Sequence, residues 1–301
     1  MSIGRRFGDS RRAESWAENA YSSVRRAAPP VDLLAIARMQ RVKRVRLQLM
    51  VQLGALAPVP GGFQISIRHP EPRDLDVELP EPPDLLTPRQ RFTLAHEIAH
   101  TRFYTSGEGV PVPNTKLKNS TRTRAGLEEA CNRVAARLLV PKALLSGEID
   151  RKLKDPERID ADFVRAMAAR FRASADVMLA RLRVAAPENT FARCLLLVRK
   201  IDNQYQMSDC YMGMSLLSAF PPPLRRSSLL KWFPELPPSI LESDGKGEWQ
   251  IKRRDRVFLL QKFPLGKKGD FLMQIDDLDR KAPSSKRPGP TDGPTLWANQ
   301  D

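Results

Sequence analysis

Residues 87–100 read TPRQRFTLAHEIAH, and this stretch carries the clearest local signals in the chain. Thr87, Pro88 and Gln90 form a helix start, with a capping hydroxyl, a proline at the first helical position and a glutamine three residues after the cap. Apolar residues then recur at helical spacing, so we predict a packed helix that runs to about Tyr104. The apolar face consists of Phe92, Leu94, Ala95, Ile98 and Ala99.

The same helix carries two of the three histidines in the chain, His96 and His100. Side chains four residues apart lie above one another on a helix, so both imidazoles can reach one divalent ion. Glu97 lies about 100° around the helix, where its carboxylate would contact a water rather than the ion. The H-E-x-x-H spacing therefore predicts a zinc centre with Glu97 as general base. The alternative is that the histidines are ordinary helix residues.

A third ligand must come from a later segment, because a catalytic zinc usually has three protein ligands. A second helix predicted over residues 126–140 offers Glu128 and Glu129. We favour Glu128, because Asn132 follows it on the same face and could bond a ligand imidazole from outside. Glu129 remains the alternative.

RFTLAHEIAH at 91–100 and EEACNRVAARLLVP at 128–141 resemble the ImmA/IrrE family of bacterial zinc metallopeptidases. The family pattern is roughly rFTlAHElgH followed by E-x-x-A-N-x-F-A-a-x-L-L-m-P, and the likeness covers residues 29–145. The resemblance assigns the third ligand to Glu128. Two departures are Tyr104, where many relatives carry a histidine, and Cys131 in place of alanine.

The resemblance implies a zincin-like metallopeptidase of the gluzincin type that cleaves a helix-turn-helix repressor and so regulates transcription. The added downstream region is most similar to the IrrE/PprI regulators of the radiation, desiccation and DNA-damage stress response. Zinc is the expected metal, and manganese is the alternative inside the cell. The competing function is a DNA-binding transcription regulator with a non-catalytic metal site.

Composition narrows the class of protein further. The 301 residues carry 50 Lys+Arg against 35 Asp+Glu, a net charge of +15, which favours DNA or an acidic protein surface as a partner. No apolar run is long enough to span a membrane, and the N-terminus has no signal-peptide core. Three widely separated cysteines fit a reducing, cytoplasmic location.

The remaining segments predict an α+β multidomain chain. Residues 1–28 are expected to be a flexible basic arm, 29–150 the metallopeptidase domain, and 281–301 a disordered tail. Within the second of these, 44–51 and 62–68 are predicted strands, with Pro58, Gly61 and Gly62 as the turn between them.

Residues 151–187 read as a pair of short helices with arginines nearby, which suits a helix-turn-helix-like element. Such a pair could bind DNA, recognise a protein or simply pack. Residues 188–280 read as strands and turns and loosely resemble a GAF-like sensory α/β domain, which would take a small-molecule ligand.

Overall fold

The computed structural model describes residues 15–24, 28–82, 84–105, 109–114, 124–152, 159–186, 193–212, 228–236, 238–243, 245–253, 256–265 and 269–278. These residues form a mixed α+β structure with two β-sheets. Within this part of the chain, no helix is long and apolar enough to cross a bilayer. The expected tail at 281–301 lies outside the described residues, as do residues 1–14 of the expected arm.

The first sheet has four strands in the order β2-β3-β1-β4. Its elements, after a helix α1 over residues 15–22, are α2 (Leu33–Met39), β1 (Val42–Gln48), β2 (Gly54–Val59), β3 (Gly62–Arg68) and β4 (Arg73–Leu75). β1 and β3 are parallel, whereas β2 pairs antiparallel with β3 and forms the edge of the sheet. The sequence analysis missed β2, since Pro58 reads as a turn residue. An edge strand tolerates proline, which has no N–H to donate, because one side of such a strand has no neighbouring strand that needs a donor.

Five helices follow the first sheet, and two of them face each other across the predicted metal site. They are α3 (Pro88–His100), α4 (Arg124–Leu139), α5 (Lys142–Lys152), α6 (Ala161–Phe171) and α7 (Ala175–Ala185), with a 3-10 turn at Thr101–Phe103. The predicted capping box of α3 is present, with the Thr87 side chain accepting from the Gln90 amide and the Gln90 side chain accepting from the Thr87 amide. α3 packs against α4 on one side and against β2 and β3 on another.

Residues 15–22, inside the segment expected to be a flexible arm, form a docked helix instead. Ala17 and Ala20 are buried, and Glu18 accepts hydrogen bonds from the Arg181 side chain (2.9 Å) and the Lys142 amide (3.1 Å). Arg181 and Lys142 lie more than a hundred residues away from Glu18 in the sequence. The sequence of residues 15–22 has few bulky apolar residues, so it does not by itself predict that this helix is docked.

The predicted helix pair is present as α6 and α7, which meet at Arg172 in the left-handed conformation. α7 packs against α5, α6 and strands of the second sheet. Its buried residues are Val177, Met178, Leu179, Arg181 and Leu182. α7 therefore packs between the helices and the second sheet. The helix-turn-helix interpretation stays a prediction.

The second sheet has five antiparallel strands in the order β6-β5-β9-β8-β7. Its elements are β5 (Arg193–Ile201), β6 (Gln204–Met212), two short helices α8 (Leu229–Trp232) and α9 (Pro238–Glu242), β7 (Gly247–Arg253), β8 (Arg256–Pro264) and β9 (Phe271–Asp277). Leu195, Leu197 and Leu272 on one face join the main core, and the opposite face forms a second core with α8 and α9. The main core thus includes residues on both sides of positions 150 and 187, where the sequence suggested domain boundaries. Those boundaries and the GAF-like assignment stay predictions.

Candidate metal centre

α3 and α4 bring three side chains with metal-binding atoms to one point. Nε2 of His96 and Nε2 of His100 are 3.0 Å apart, and Oε2 of Glu128 lies 3.1 Å from the first and 3.5 Å from the second. The histidine side chains are 15% and 18% exposed and that of Glu128 is 42% exposed, so solvent can reach the cluster. Among the described residues, this is the one group of three that could hold an ion.

The donor set fits a small tetrahedral cation. Ligand atoms about 2.0–2.1 Å from a tetrahedral zinc lie about 3.3–3.4 Å from each other. The three separations observed here bracket that value closely. Nitrogen and oxygen lone pairs that face each other repel unless a proton or a cation lies between them, so the three atoms approach this closely only around a bound cation or with shared protons.

α4 also orients both histidines from behind. Oδ1 of Asn132 lies 2.9 Å from Nδ1 of His96, and Sγ of Cys131 lies 3.5 Å from Nδ1 of His100. An amide oxygen can only accept, so Nδ1 of His96 carries the proton and its Nε2 lone pair is left for a metal. The Asn132 contact was expected from the sequence, whereas the contact made by Cys131 was not.

Glu129 does not join the cluster. Its carboxylate accepts a hydrogen bond at 2.7 Å from Arg133, one turn along the exposed side of α4. Tyr104, considered from the sequence because relatives carry a histidine there, packs its ring edge-on against Phe63 with centroids 5.3 Å apart. Glu128 is therefore the carboxylate that the fold places beside the two histidines.

Glu97 lies beside the cluster and under the edge strand. It is only 8% exposed, and no cationic side chain of the described residues pairs with it. Burial and, to a smaller extent, the nearby charge of Glu128 together raise the pKa of the Glu97 carboxyl to about 7. A carboxyl that titrates near neutral pH can both take up and release a proton during a reaction.

Gly54, the first residue of β2, is what allows this burial. A Cβ at this position would lie 2.4 Å from Cγ2 of Thr93 and 2.7 Å from Oε1 of Glu97. Only glycine lets the strand approach α3 this closely, so Gly54 belongs to the site although the sequence analysis did not single it out. Within the described part of the chain, no strand pairs with the outer edge of β2, and this edge begins directly beside Glu97.

α3 contains a second buried charge that the sequence analysis missed. Arg91 is 0% exposed, whereas Phe92, which was assigned to the apolar face, is only partly buried. The Arg91 guanidinium donates to the Glu81 carboxylate and to the carbonyl of Val31. This pair joins α3 to α2 and to the segment before α3, on the side away from the histidines.

Comparisons with known proteins give one family match. Residues 83–183 match the family model Peptidase_M78, described as the IrrE N-terminal-like domain, and this span includes His96, Glu97, His100 and Glu128. A solved structure titled "Mycobacterium tuberculosis transcriptional regulator" is similar at 12% identity, covering 88% of this chain and 76% of that chain with a TM-score of 0.47. No curated protein matches the sequence.

Proposed function

We propose, on the premise that residues 83–183 belong to the IrrE N-terminal-like peptidase family, that the protein is a zinc-dependent endopeptidase that cleaves a regulatory protein. The observation that carries the proposal is the convergence of His96, His100 and Glu128 within bonding distance of one point, with Glu97 adjacent and free of any cationic partner among the described residues. A purely structural metal site has no use for that fourth residue.

His96, His100 and Glu128 would hold the ion. When bound, a divalent cation supplies Lewis-acid chemistry, acidifying a water and polarising a carbonyl. The carboxylate of Glu97 takes the proton of the attacking water and delivers it to the nitrogen of the leaving amine. Asn132 and Cys131 contact the Nδ1 atoms and so hold the imidazoles in orientation, with the Nε2 atoms of both histidines turned toward Glu128.

The free edge of β2 suggests how a substrate would lie. An extended peptide can add to an exposed sheet edge through main-chain hydrogen bonds, and β2 offers such an edge from Gly54 onward. A substrate strand bound there would pass Glu97. Helical and folded proteins would need a locally extended segment to enter, which favours one selected bond over general digestion.

A helix-turn-helix repressor is the substrate class that we propose, with release of transcription in a radiation or DNA-damage stress response as the outcome. This part rests on the family resemblance of the sequence and not on the site geometry. We also propose a cytoplasmic location, since the three cysteines are free. A ligand of the second sheet that controls cleavage is a further expectation from the GAF-like resemblance.

The alternative is that α7 recognises a DNA sequence. This function is disfavoured because the first turn of α7 packs against the second sheet. Asp176 in the first turn of α7 accepts hydrogen bonds from Arg199 and Ser208 of the second sheet, so a carboxylate occupies the end of the helix that would approach DNA phosphates. A salt-dependent shift of labelled operator DNA by the pure protein would revive this function.

The test is incubation of the zinc-loaded protein with purified helix-turn-helix repressors, with and without a chelator, followed by mass measurement of the products. We expect two fragments whose masses sum to the repressor plus one water, and none when the chelator is present. Casein should be digested far more slowly. If no repressor is cut while casein is degraded at the rates of digestive enzymes, the regulatory proposal is wrong.

A further inference from the structure

A groove of 360 Å³ lies beside the first residues of β2, between the segment before that strand and the N-terminal half of α3. We name it the Leu53 groove. The residues that matter for the argument are Leu49, Leu53, Pro70, Thr87, Arg89 and Thr93. Neither the proposed chemistry nor the metal centre accounts for it.

The segment that forms one wall exposes large apolar side chains. Leu49 is 80% exposed, Val51 is 94% exposed and Leu53 is 40% exposed. Arg68 of β3 fixes this segment, because its side chain donates to the Val51 carbonyl at 3.1 Å and its amide to the Leu53 carbonyl at 3.0 Å. A rigid, exposed apolar cluster of this kind is typical of a binding surface.

The groove is continuous with the candidate catalytic residue. Arg89, Thr93 and Glu97 follow one another at four-residue intervals on one face of α3, and Gly54 packs against the last two. A peptide strand that pairs with the edge of β2 beside Glu97 therefore extends directly over the Leu53 groove. One of its side chains would point into the groove, since alternate side chains of a strand face the same way.

The rim of the groove is cationic. Arg89 is exposed, and no carboxylate among the described residues pairs with its guanidinium. The side chain of Arg68 stands on the opposite wall. An acidic residue next to the apolar one would thus be favoured at this point of the substrate.

We propose that the Leu53 groove is the specificity pocket of the peptidase and takes a bulky apolar side chain of the substrate, with a neighbouring Asp or Glu paired to Arg89. This inference rests on the proposed function and names the sequence feature that the substrate presents. It makes cleavage depend on an apolar-acidic pair at a fixed distance from the scissile bond.

Binding of labelled peptides tests the proposal independently of cleavage. The probes are short fluorescein-labelled peptides that contain Leu-Glu, Ala-Glu or Leu-Lys in an otherwise identical threonine- and valine-rich sequence, and the receptor is the full chain loaded with zinc and carrying Glu97→Gln. We expect Leu-Glu to bind at least about 10-fold more tightly than Ala-Glu, the discrimination typical of an apolar pocket. Adding Leu53→Gln should bring the ratio close to one, and adding Arg89→Glu should make Leu-Lys the tighter ligand.

The matched control is Ile201→Gln, because Ile201 is 43% exposed at the end of β5 in the other sheet. It should leave all ratios unchanged. Equal binding of the three peptides, or loss of discrimination with Ile201→Gln, overturns the proposal. A dimer that Leu53→Gln converts to a monomer would also overturn it, because a second copy would then fill the groove. Failure of the wild-type protein to cleave any helix-turn-helix repressor in a zinc-dependent manner would instead contradict the proposed function.

Discussion

Arg91 and Glu97 are two buried charged residues of the same helix, and the fold treats them differently. Arg91 is fully buried and is neutralised by Glu81 and the carbonyl of Val31. Glu97 is nearly as buried, yet the charged group that acts on it is another carboxylate, Glu128, and burial together with this charge raises the pKa of Glu97. The charge of Arg91 joins α3 to α2 and to the segment before α3. The charge of Glu97 has no cationic partner among the described residues and would gain one only when a metal ion binds beside it. Uncompensated burial of this kind is a mark of functional residues.

Replacing Glu97 by glutamine separates the chemistry from the scaffold. Loss of the proton acceptor should reduce peptide cleavage by about 10²–10⁴-fold, the usual contribution of a general base. Zinc content should stay at the wild-type level, because Glu97 is not one of the three ligands. Cleavage assays and metal analysis of the same preparation check both statements, and wild-type activity in Glu97→Gln would remove Glu97 from the mechanism.

Replacing Arg91 by methionine should affect the scaffold instead. The change leaves the buried Glu81 with only the more distant guanidinium of Arg172, 3.8 Å away, as a cationic neighbour, and breaking the closer pair costs up to about 3–5 kcal/mol of unfolding free energy. Urea unfolding of the metal-free protein measures the loss. The double variant Arg91→Met with Glu81→Leu should recover part of it, because the buried carboxylate that lost its closest partner is gone. If the single variant unfolds like the wild type, Arg91 does not have the structural role assigned to it.

The pH dependence of the unfolding free energy tests whether Glu97, unlike Arg91, is buried without a partner of opposite charge. The pKa of Glu97 is about 7 in the folded, metal-free protein and near 4.5 when unfolded, so the folded state binds the proton more tightly. Its stabilising contribution is complete below about pH 4.5 and is lost as the pH rises through about 7, for a total of about 3 kcal/mol at most. The difference between wild type and Glu97→Gln in urea unfolding at pH 5 and pH 8 isolates this effect. A difference that grows in the opposite direction would show that the Glu97 carboxylate has a cationic partner.

Gly54→Ala tests whether the close approach of β2 holds Glu97 in position. The added methyl group would displace the Glu97 carboxylate, and a shift of about 1 Å in a reacting group can cost about 10²-fold in rate. We expect kcat to fall by that order with zinc content unchanged. Gly147→Ala is the control, since a Cβ there meets no atom within 4 Å and should preserve activity.

The smallest expected effect is at Asn132. Asn132→Ala removes the acceptor behind His96 and should weaken zinc affinity by about 10-fold, the lower end for residues that orient a metal ligand. Competition with a fluorescent chelator gives the affinity. Asn132→Asp keeps an acceptor oxygen and should retain most of the binding; equal weakening by both variants would mean that the contact does not orient the imidazole.

Sequence alone predicted those features that depend on neighbouring residues. The capping box at Thr87 and Gln90 follows from local backbone chemistry. The histidine spacing on α3 likewise follows from helix geometry. The assignment of an IrrE-like domain is confirmed for residues 83–183.

The features that the sequence analysis missed depend on contacts between residues that are far apart in the sequence. Arg91 is buried because Glu81 and Val31 surround it, and no periodicity of apolar residues can indicate a buried charge. The docking of α1 through Glu18 and the approach of Gly54 to Glu97 likewise depend on contacts between separate elements. The sequence analysis did not predict the edge strand β2, because Pro58 is typical of a turn, and so it did not predict the Leu53 groove beside that strand.

A crystal structure of the zinc-loaded protein, with anomalous data collected at the zinc edge, tests the central claim most directly. We predict one strong anomalous peak about 2.0–2.2 Å from Nε2 of His96, Nε2 of His100 and a carboxylate oxygen of Glu128, with Glu97 beside it but not bound to the ion. A zinc ion elsewhere, or these three side chains turned apart in the presence of ample zinc, would contradict the account.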